Sequence, residues 1–271
     1  MSALALVPER TREFVSAGDA RIEVIAEGRG PLVLLLPSRG RDSEDYGEVA
    51  AGIAIAGYRV LRPQPRGTCG STGPMTGLTL HDFARDVAAV IAHARGGPAV
   101  VAGHAFGNWV ARMTAADHPR LVRGVAILAA ASKSYPDFSG AQRLVEAVKK
   151  AGDPALAETE RLLHLRAAFF APGHDPGEWL KGWYPQVNES QFAAGKATRQ
   201  EEWWGAGSAP LLDLQAELDP FKPRDTANEL KEEFGERVSV AVIPGASHAL
   251  IPEQPAAVVA AIVDWMRKLP K

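Results

Sequence analysis

The sequence predicts an α/β protein: a mostly parallel central sheet, helices on both of its faces, and a helical block inserted late in the chain. Three observations carry this. Short apolar, β-branched runs alternate with segments whose apolar residues recur at helical spacing. Residues 99–108 read as a strand, a sharp turn and a helix around Gly103-His-Ala-Phe-Gly107. The alternation breaks over residues 133–208 and resumes at Pro210.

Taken in order, residues 1–10 form a loose lead-in. Arg12–Ala17 and Arg21–Ala26 alternate polar and apolar residues about Gly18-Asp19, a hairpin at a sheet edge. Leu32–Leu36 is wholly apolar, as a strand covered on both faces must be. The loop Pro37–Gly40 follows it. Val49–Ala56 reads as a helix stopped by Gly57, and Tyr58–Leu61 as the next strand. Thr79 caps a helix with Asp82 as its capping-box partner. Phe83, Val87, Val90, Ile91 and Ala94 share one face of that helix. Pro98–Ala102 is a strand, Asn108–His118 a helix, and Val122–Ala130 a strand. Within 133–208, Gln142–Ala151 and Pro154–Phe170 read as helices, with two shorter helical pieces flanking Pro185. Then come the strand Pro210–Leu214, a helix near Asn228–Phe234, the strand Val238–Ile243 and a final helix Pro252–Leu269. An insertion after the sixth strand lies over the strand ends, where sheets of this kind bind ligands. The expected organisation is therefore a core of residues 1–132 and 209–271 and a helical cap of residues 133–208.

Composition narrows the function. The chain has 271 residues, 46% of them hydrophobic and 23% charged, with a net charge of −2. This suits a soluble enzyme or binding protein and gives no basis for a nucleic-acid or anionic-membrane partner. Cys69 is the single cysteine, so no disulfide forms within the chain. The start of the chain lacks a basic stretch leading into an apolar run of signal-peptide length, and no apolar run is long enough to span a bilayer. A cytoplasmic protein, monomer or homodimer, is expected.

Five landmarks, in order, resemble those of the α/β-hydrolase superfamily over nearly the whole chain. They are the loop Pro37–Gly40, Arg66-Gly67 with Gly70-Ser71, Gly-His-Ala-Phe-Gly at 103–107, Glu217-Leu-Asp219-Pro220, and the histidine loop around His248. The resemblance implies the α/β-hydrolase fold and a site built from a nucleophile, an acid and a histidine in that chain order. The matching positions are 105, 219 and 248. Asp219 would orient His248, whose other nitrogen would face position 105. Backbone N–H groups of Phe106 and Arg39 would form the oxyanion hole. Ser38 and His104 would border the substrate, and the Arg39 guanidinium is also free to meet a substrate carboxylate.

The nucleophile position departs from the pattern. It holds Ala105, whose methyl group cannot attack a carbonyl. Ser132 is the nearest substitute in sequence terms, Asp213 and Glu217 are rivals for the acid, and Cys69 is a spectator near the pocket mouth. Two readings of the alanine stand. The chain is an inactivated form in which alanine replaces a nucleophilic serine. Alternatively, the alanine is native and the His248–Asp219 pair works without a covalent step, by direct water attack, lyase or cofactor-free oxygenase chemistry, or the pocket only binds a small molecule. The remaining histidines lack metal-ligand spacing, and neither metal nor organic cofactor is expected.

The inserted block carries an aromatic surplus. Trp179, Trp183, Tyr184, Trp203 and Trp204 exceed what a small cap needs for its own core, so some of them are expected to face substrate. The expected activity is hydrolysis of an ester, a lactone or a C–C bond in a hydrophobic small molecule.

Overall fold

The computed structural model describes residues 9–133 and 137–270. Most of the expected lead-in and the first residues of the expected insertion, 134–136, lie outside the described residues. Eight strands form one sheet in the order β1-β2-β4-β3-β5-β6-β7-β8. The strands are β1 (Arg10–Ala17), β2 (Ala20–Gly28), β3 (Leu32–Leu36), β4 (Arg59–Pro63), β5 (Ala99–His104), β6 (Val122–Leu128), β7 (Leu211–Ala216) and β8 (Val238–Ile243). β1 pairs antiparallel with β2, and β2 antiparallel with β4; the pairs from β4 through β8 are all parallel.

The period-two geometry of a strand explains why β3 is apolar throughout. Leu32, Leu34 and Leu36 enter one core, and Val33 and Leu35 enter the other. On the first face lie α2 (Leu80–Ala94) and α3 (Phe106–Asp117), which contribute Phe83, Val87, Val110 and Met113. On the second lie α1 (Gly47–Ile55) and the last helix, which contribute Val49, Ile53, Ile262 and Trp265. The capping box of α2 forms as expected, with Thr79 N–H donating to Asp82 at 2.8 Å.

Between β6 and β7 the chain forms α4 (Phe138–Ala151), α5 (Glu158–Ala168), a 3₁₀ turn at Pro176–Leu180, α6 (Pro185–Ala197) and α7 (Gln200–Trp203). Leu165, Phe169, Phe170 and Trp179 make a small core there, which also takes in Ala249 from the far end of the chain.

Three helix expectations change. The helix expected from Pro154 starts only at Glu158, because Asp153 first closes a turn by accepting the Ala155 N–H at 2.9 Å. The two helical pieces expected about Pro185 are the 3₁₀ turn Pro176–Leu180 and α6, but Pro185 does not lie in the gap between them; it is the first residue of α6, where its missing N–H costs nothing. The final helix is interrupted. After α8 (Glu229–Phe234), the short α9 (Leu250–Glu253) ends at Gln254, and α10 runs Pro255–Met266. A residue preceding proline is pushed out of the helical region, and Gln254 sits at φ −139°, ψ 54°.

The strand order reverses about β3, with β4 on one side and β5 on the other. The carboxyl ends of β3 and β5 therefore open a crevice at the switch point. Residues 37–40 and Ala105 lie there.

Candidate active site

The centre of the site is the turn from β5 into α3. Ala105 sits at φ 47°, ψ −112°, a conformation that side-chain-bearing residues rarely adopt. Holding it costs about 1–3 kcal/mol. Two glycines impose it. A Cβ on Gly103 would meet the Gly107 carbonyl at 2.2 Å, and one on Gly107 would meet the Leu36 carbonyl oxygen at 2.4 Å. Strand, turn and helix approach this closely only without those side chains. The Ala105 N–H is tied to the Leu128 carbonyl at 3.0 Å, and Asn108 donates to the Ala105 carbonyl through both its backbone N–H and its side chain. The N–H of Phe106 opens α3 and has no acceptor among the described residues. The N–H of Arg39 has none either.

His248 follows β8. Its Nδ1 donates to the Asp219 carboxylate, 3.0 Å from Oδ2 and 3.1 Å from Oδ1. Both side chains are buried. Asp219 is fixed in turn by accepting the Phe221 N–H at 2.9 Å. The histidine loop is anchored at three neighbouring points. Nε2 of His104 donates to the His248 carbonyl at 2.7 Å, the Ala249 N–H donates to Phe169 at 2.7 Å, and the Ser247 N–H donates to Glu253 at 2.6 Å. Burial, reinforced by repulsion from His248, pushes the His104 imidazole down to about 3, so it stays neutral and structural.

Ala105, Phe106, Ser38, Arg39 and His248 border one cavity of about 180 Å³. Its remaining wall is apolar, with Trp109, Phe169 and Phe221 the largest contributors. An outer chamber of about 450 Å³ shares Arg39, Val145 and Val148 with it and is flanked by Trp183, Tyr184 and Phe192. Acyl transfer requires a turn that presents a nucleophile, an acid-oriented imidazole and open backbone donors; this cavity brings such groups together, with a methyl group where a hydroxyl would attack.

The sequence profile of the alpha/beta hydrolase family matches residues 33–261. The chain belongs to the alpha/beta hydrolase family. A curated relative, pyrrolizixenacetamide deacetylase from Xenorhabdus hominickii, is 31% identical over 117 residues, which is 43% of this chain and 44% of the relative. The match thus spans less than half of that relative. Among solved structures, the fold is similar to that of a thermophilic esterase from Thermogutta terrifontis (TM-score 0.74, 22% identity, 96% of this chain and 98% of the other). It is also similar to an esterase from Exiguobacterium antarcticum (TM-score 0.77, 17% identity, 95% and 100%).

In this alpha/beta hydrolase the aromatic residues expected to face substrate divide. Trp183 and Tyr184 border the outer chamber. Trp179 does not border either cavity; it packs behind the histidine loop against His104, Phe169 and Phe170. Trp203 lies behind the wall, stacked on Trp109 at 5.0 Å. Trp204 turns away, with its Nε1 donating to Glu233 at 2.7 Å and Arg112 over its ring. The last three are buried in cores because their indoles satisfy packing rather than a ligand.

The rival residues also lie elsewhere. Ser132 bonds to Thr226 and does not border the cavity. Asp213 is buried within β7 against Gln215, and Glu217 accepts the Gly245 N–H. Cys69 is exposed next to the Tyr184 hydroxyl, and its thiol is pushed up by partial desolvation, which works against thiolate chemistry. Among the described residues, no cluster of potential ligands could hold a metal ion. Sequence reasoning missed Trp109, Phe221, Ala131, Val145 and Val148 as wall residues. Trp109 was within reach, since it lies one helical turn beyond Ala105.

Proposed function

We propose that this cavity is the active site of a hydrolase acting on a small, largely apolar ester or amide. Position 105 is the nucleophile's place, His248 the base, Asp219 its orienting carboxylate, and the N–H groups of Phe106 and Arg39 the oxyanion donors. The observation that carries this is a shared cavity: the strained Ala105 turn and the Asp219-bonded His248 imidazole border the same apolar space. A strained turn is kept where surrounding structure over-determines it, as at a catalytic centre. The deacetylase relative extends the reading from esters to amides.

With alanine at 105, no acyl-enzyme forms. The imidazole still has Nε2 without a partner among the described residues, so a water lodged beside the methyl group could lose its proton to His248 and attack a bound carbonyl. That slower route is the second reading, and the unclaimed nitrogen favours it.

The test is Ala105→Ser, assayed beside the unaltered chain on p-nitrophenyl esters of short acids. Removing a nucleophile that works as a unit with its base costs about 10⁶-fold in rate. A gain of several orders of magnitude supports the proposed site. Equal inertness of both chains overturns it.

A further inference from the structure

We propose that the ligand of this site carries a carboxylate, which pairs with the Arg39 guanidinium on the wall that the inner cavity shares with the second chamber. The inference rests on the hydrolase reading and adds a substrate class to it.

Buried guanidinium groups are ordinarily neutralised or fully hydrogen-bonded. The fully buried arginines follow that rule, and Arg39, which is half-buried with its Nε enclosed, is the comparison. Arg41 pairs with Asp45, Arg62 with Glu27 and Arg66 with Asp86. Arg161 donates to two backbone carbonyls. Arg112 has no hydrogen-bonded carboxylate, but it lies over the indoles of Trp203 and Trp204 and borders neither cavity. Arg39 is different. It forms no ion pair among the described residues, its Nε is buried without a hydrogen-bond partner, and its ring neighbour is Phe192 at 5.1 Å. It borders both cavities.

The charges around the outer chamber leave that role open. Asp153 has one oxygen taken by the Ala155 N–H, and Glu189 is exposed to solvent. Lys149 adds a second, exposed cation to the lining. Partial burial holds the Arg39 guanidinium below its ordinary value. A planar carboxylate answers the guanidinium fork with two parallel hydrogen bonds, and a neutral amide does not. The backbone of Arg39 belongs to the reacting end and its side chain to the chamber side. The carboxylate therefore sits on the part of the ligand remote from the reacting carbonyl, with Trp109 and Phe221 against the apolar part between them.

The test uses the unaltered chain. Isothermal titration compares 3-phenylpropionate with 3-phenylpropionamide, an acid and its neutral isostere. The acid is expected to bind at least about tenfold more tightly. Arg39→Met should erase the difference and Arg39→Lys should keep part of it, with circular dichroism confirming the fold of each. Equal affinity for acid and amide, a preference that survives Arg39→Met, or no binding of either probe overturns the proposal. Because the Ala105→Ser assay uses neutral esters, a flat comparison beside an active serine variant removes the carboxylate and leaves the hydrolase reading in place. If Arg39→Met fails to fold, the acid-to-amide ratio in the unaltered chain and in Arg39→Lys decides.

Discussion

Nε2 of His104 donates to the backbone carbonyl of His248 at 2.7 Å, so the residue just before the elbow holds the loop that presents the imidazole. The bond needs a proton on Nε2, and it is burial rather than this bond that keeps His104 neutral. The folded protein keeps it neutral down to about 3, against an ordinary value of 6.5. Between those values the unfolded chain carries the extra proton. The contribution of His104 to stability is therefore complete above 6.5 and is lost as the pH falls toward 3. Urea unfolding from about pH 7.5 to 4.5 should show the native chain losing up to roughly 1.4 kcal/mol per pH unit more than His104→Gln. Parallel curves for the two proteins would refute the assignment.

Glu253 bridges two segments through one carboxylate, accepting the N–H of Ala171 and of Ser247, each at 2.6 Å. A glutamine offers one acceptor oxygen and turns an NH₂ toward the other donor. Glu253→Gln should cost about 1–3 kcal/mol in stability. In an Ala105→Ser background it should lower kcat more than KM, because Ser247 is the residue before His248. A loss confined to KM would place the effect on ligand entry instead.

Gly103 and Gly107 should tolerate no side chain. The atoms a Cβ would strike are backbone on both sides, so no flexible tip can yield. Gly103→Ala and Gly107→Ala should each cost upwards of about 4 kcal/mol or abolish soluble expression. Gly77→Ala is the control. Its φ is +70° with nothing within 4 Å, and backbone strain of about 1–2 kcal/mol is its whole penalty. Thermal melts of the three variants check the ranking.

Trp109 and Trp204 separate a wall from a core. Trp109 borders the inner cavity; Trp204 packs beside Arg112 and Glu233. In the serine variant, Trp109→Ala should shift preference from p-nitrophenyl acetate toward longer acyl chains. Trp204→Ala should cost about 3–5 kcal/mol in stability and leave that preference where it was. A change in chain-length preference on truncating Trp204 would contradict its placement outside the site.

Much of this architecture was legible because backbone constraints leave local marks. The apolar run of β3, the Thr79–Asp82 capping box and the glycine spacing of the elbow each state a geometry within a few residues. Asp219 and His248 lie far apart in the chain, yet each follows a strand end, which is where the resemblance placed them. The walls were harder to read. Trp179, Trp203 and Trp204 look alike in sequence to Trp183, and only packing decides which indole meets a cavity and which meets another side chain. Phe221, Val145 and Val148 come from a loop and a helix whose relative placement no local pattern records. The break before Pro255 was readable from the proline alone, and helical spacing on either side masked it.

The φ of 47° at Ala105 has a genetic consequence. The turn is already bent for a side chain that would project into the cavity, and the backbone strain is the same for alanine and serine. Codons for the two residues differ by a single base. Restoring a hydroxyl would therefore ask the fold for no rearrangement and the gene for the smallest possible change. A gene for this chain stands one mutational step from the proposed triad, and selection on a library diversified at codon 105 alone should reveal whether serine there is favoured.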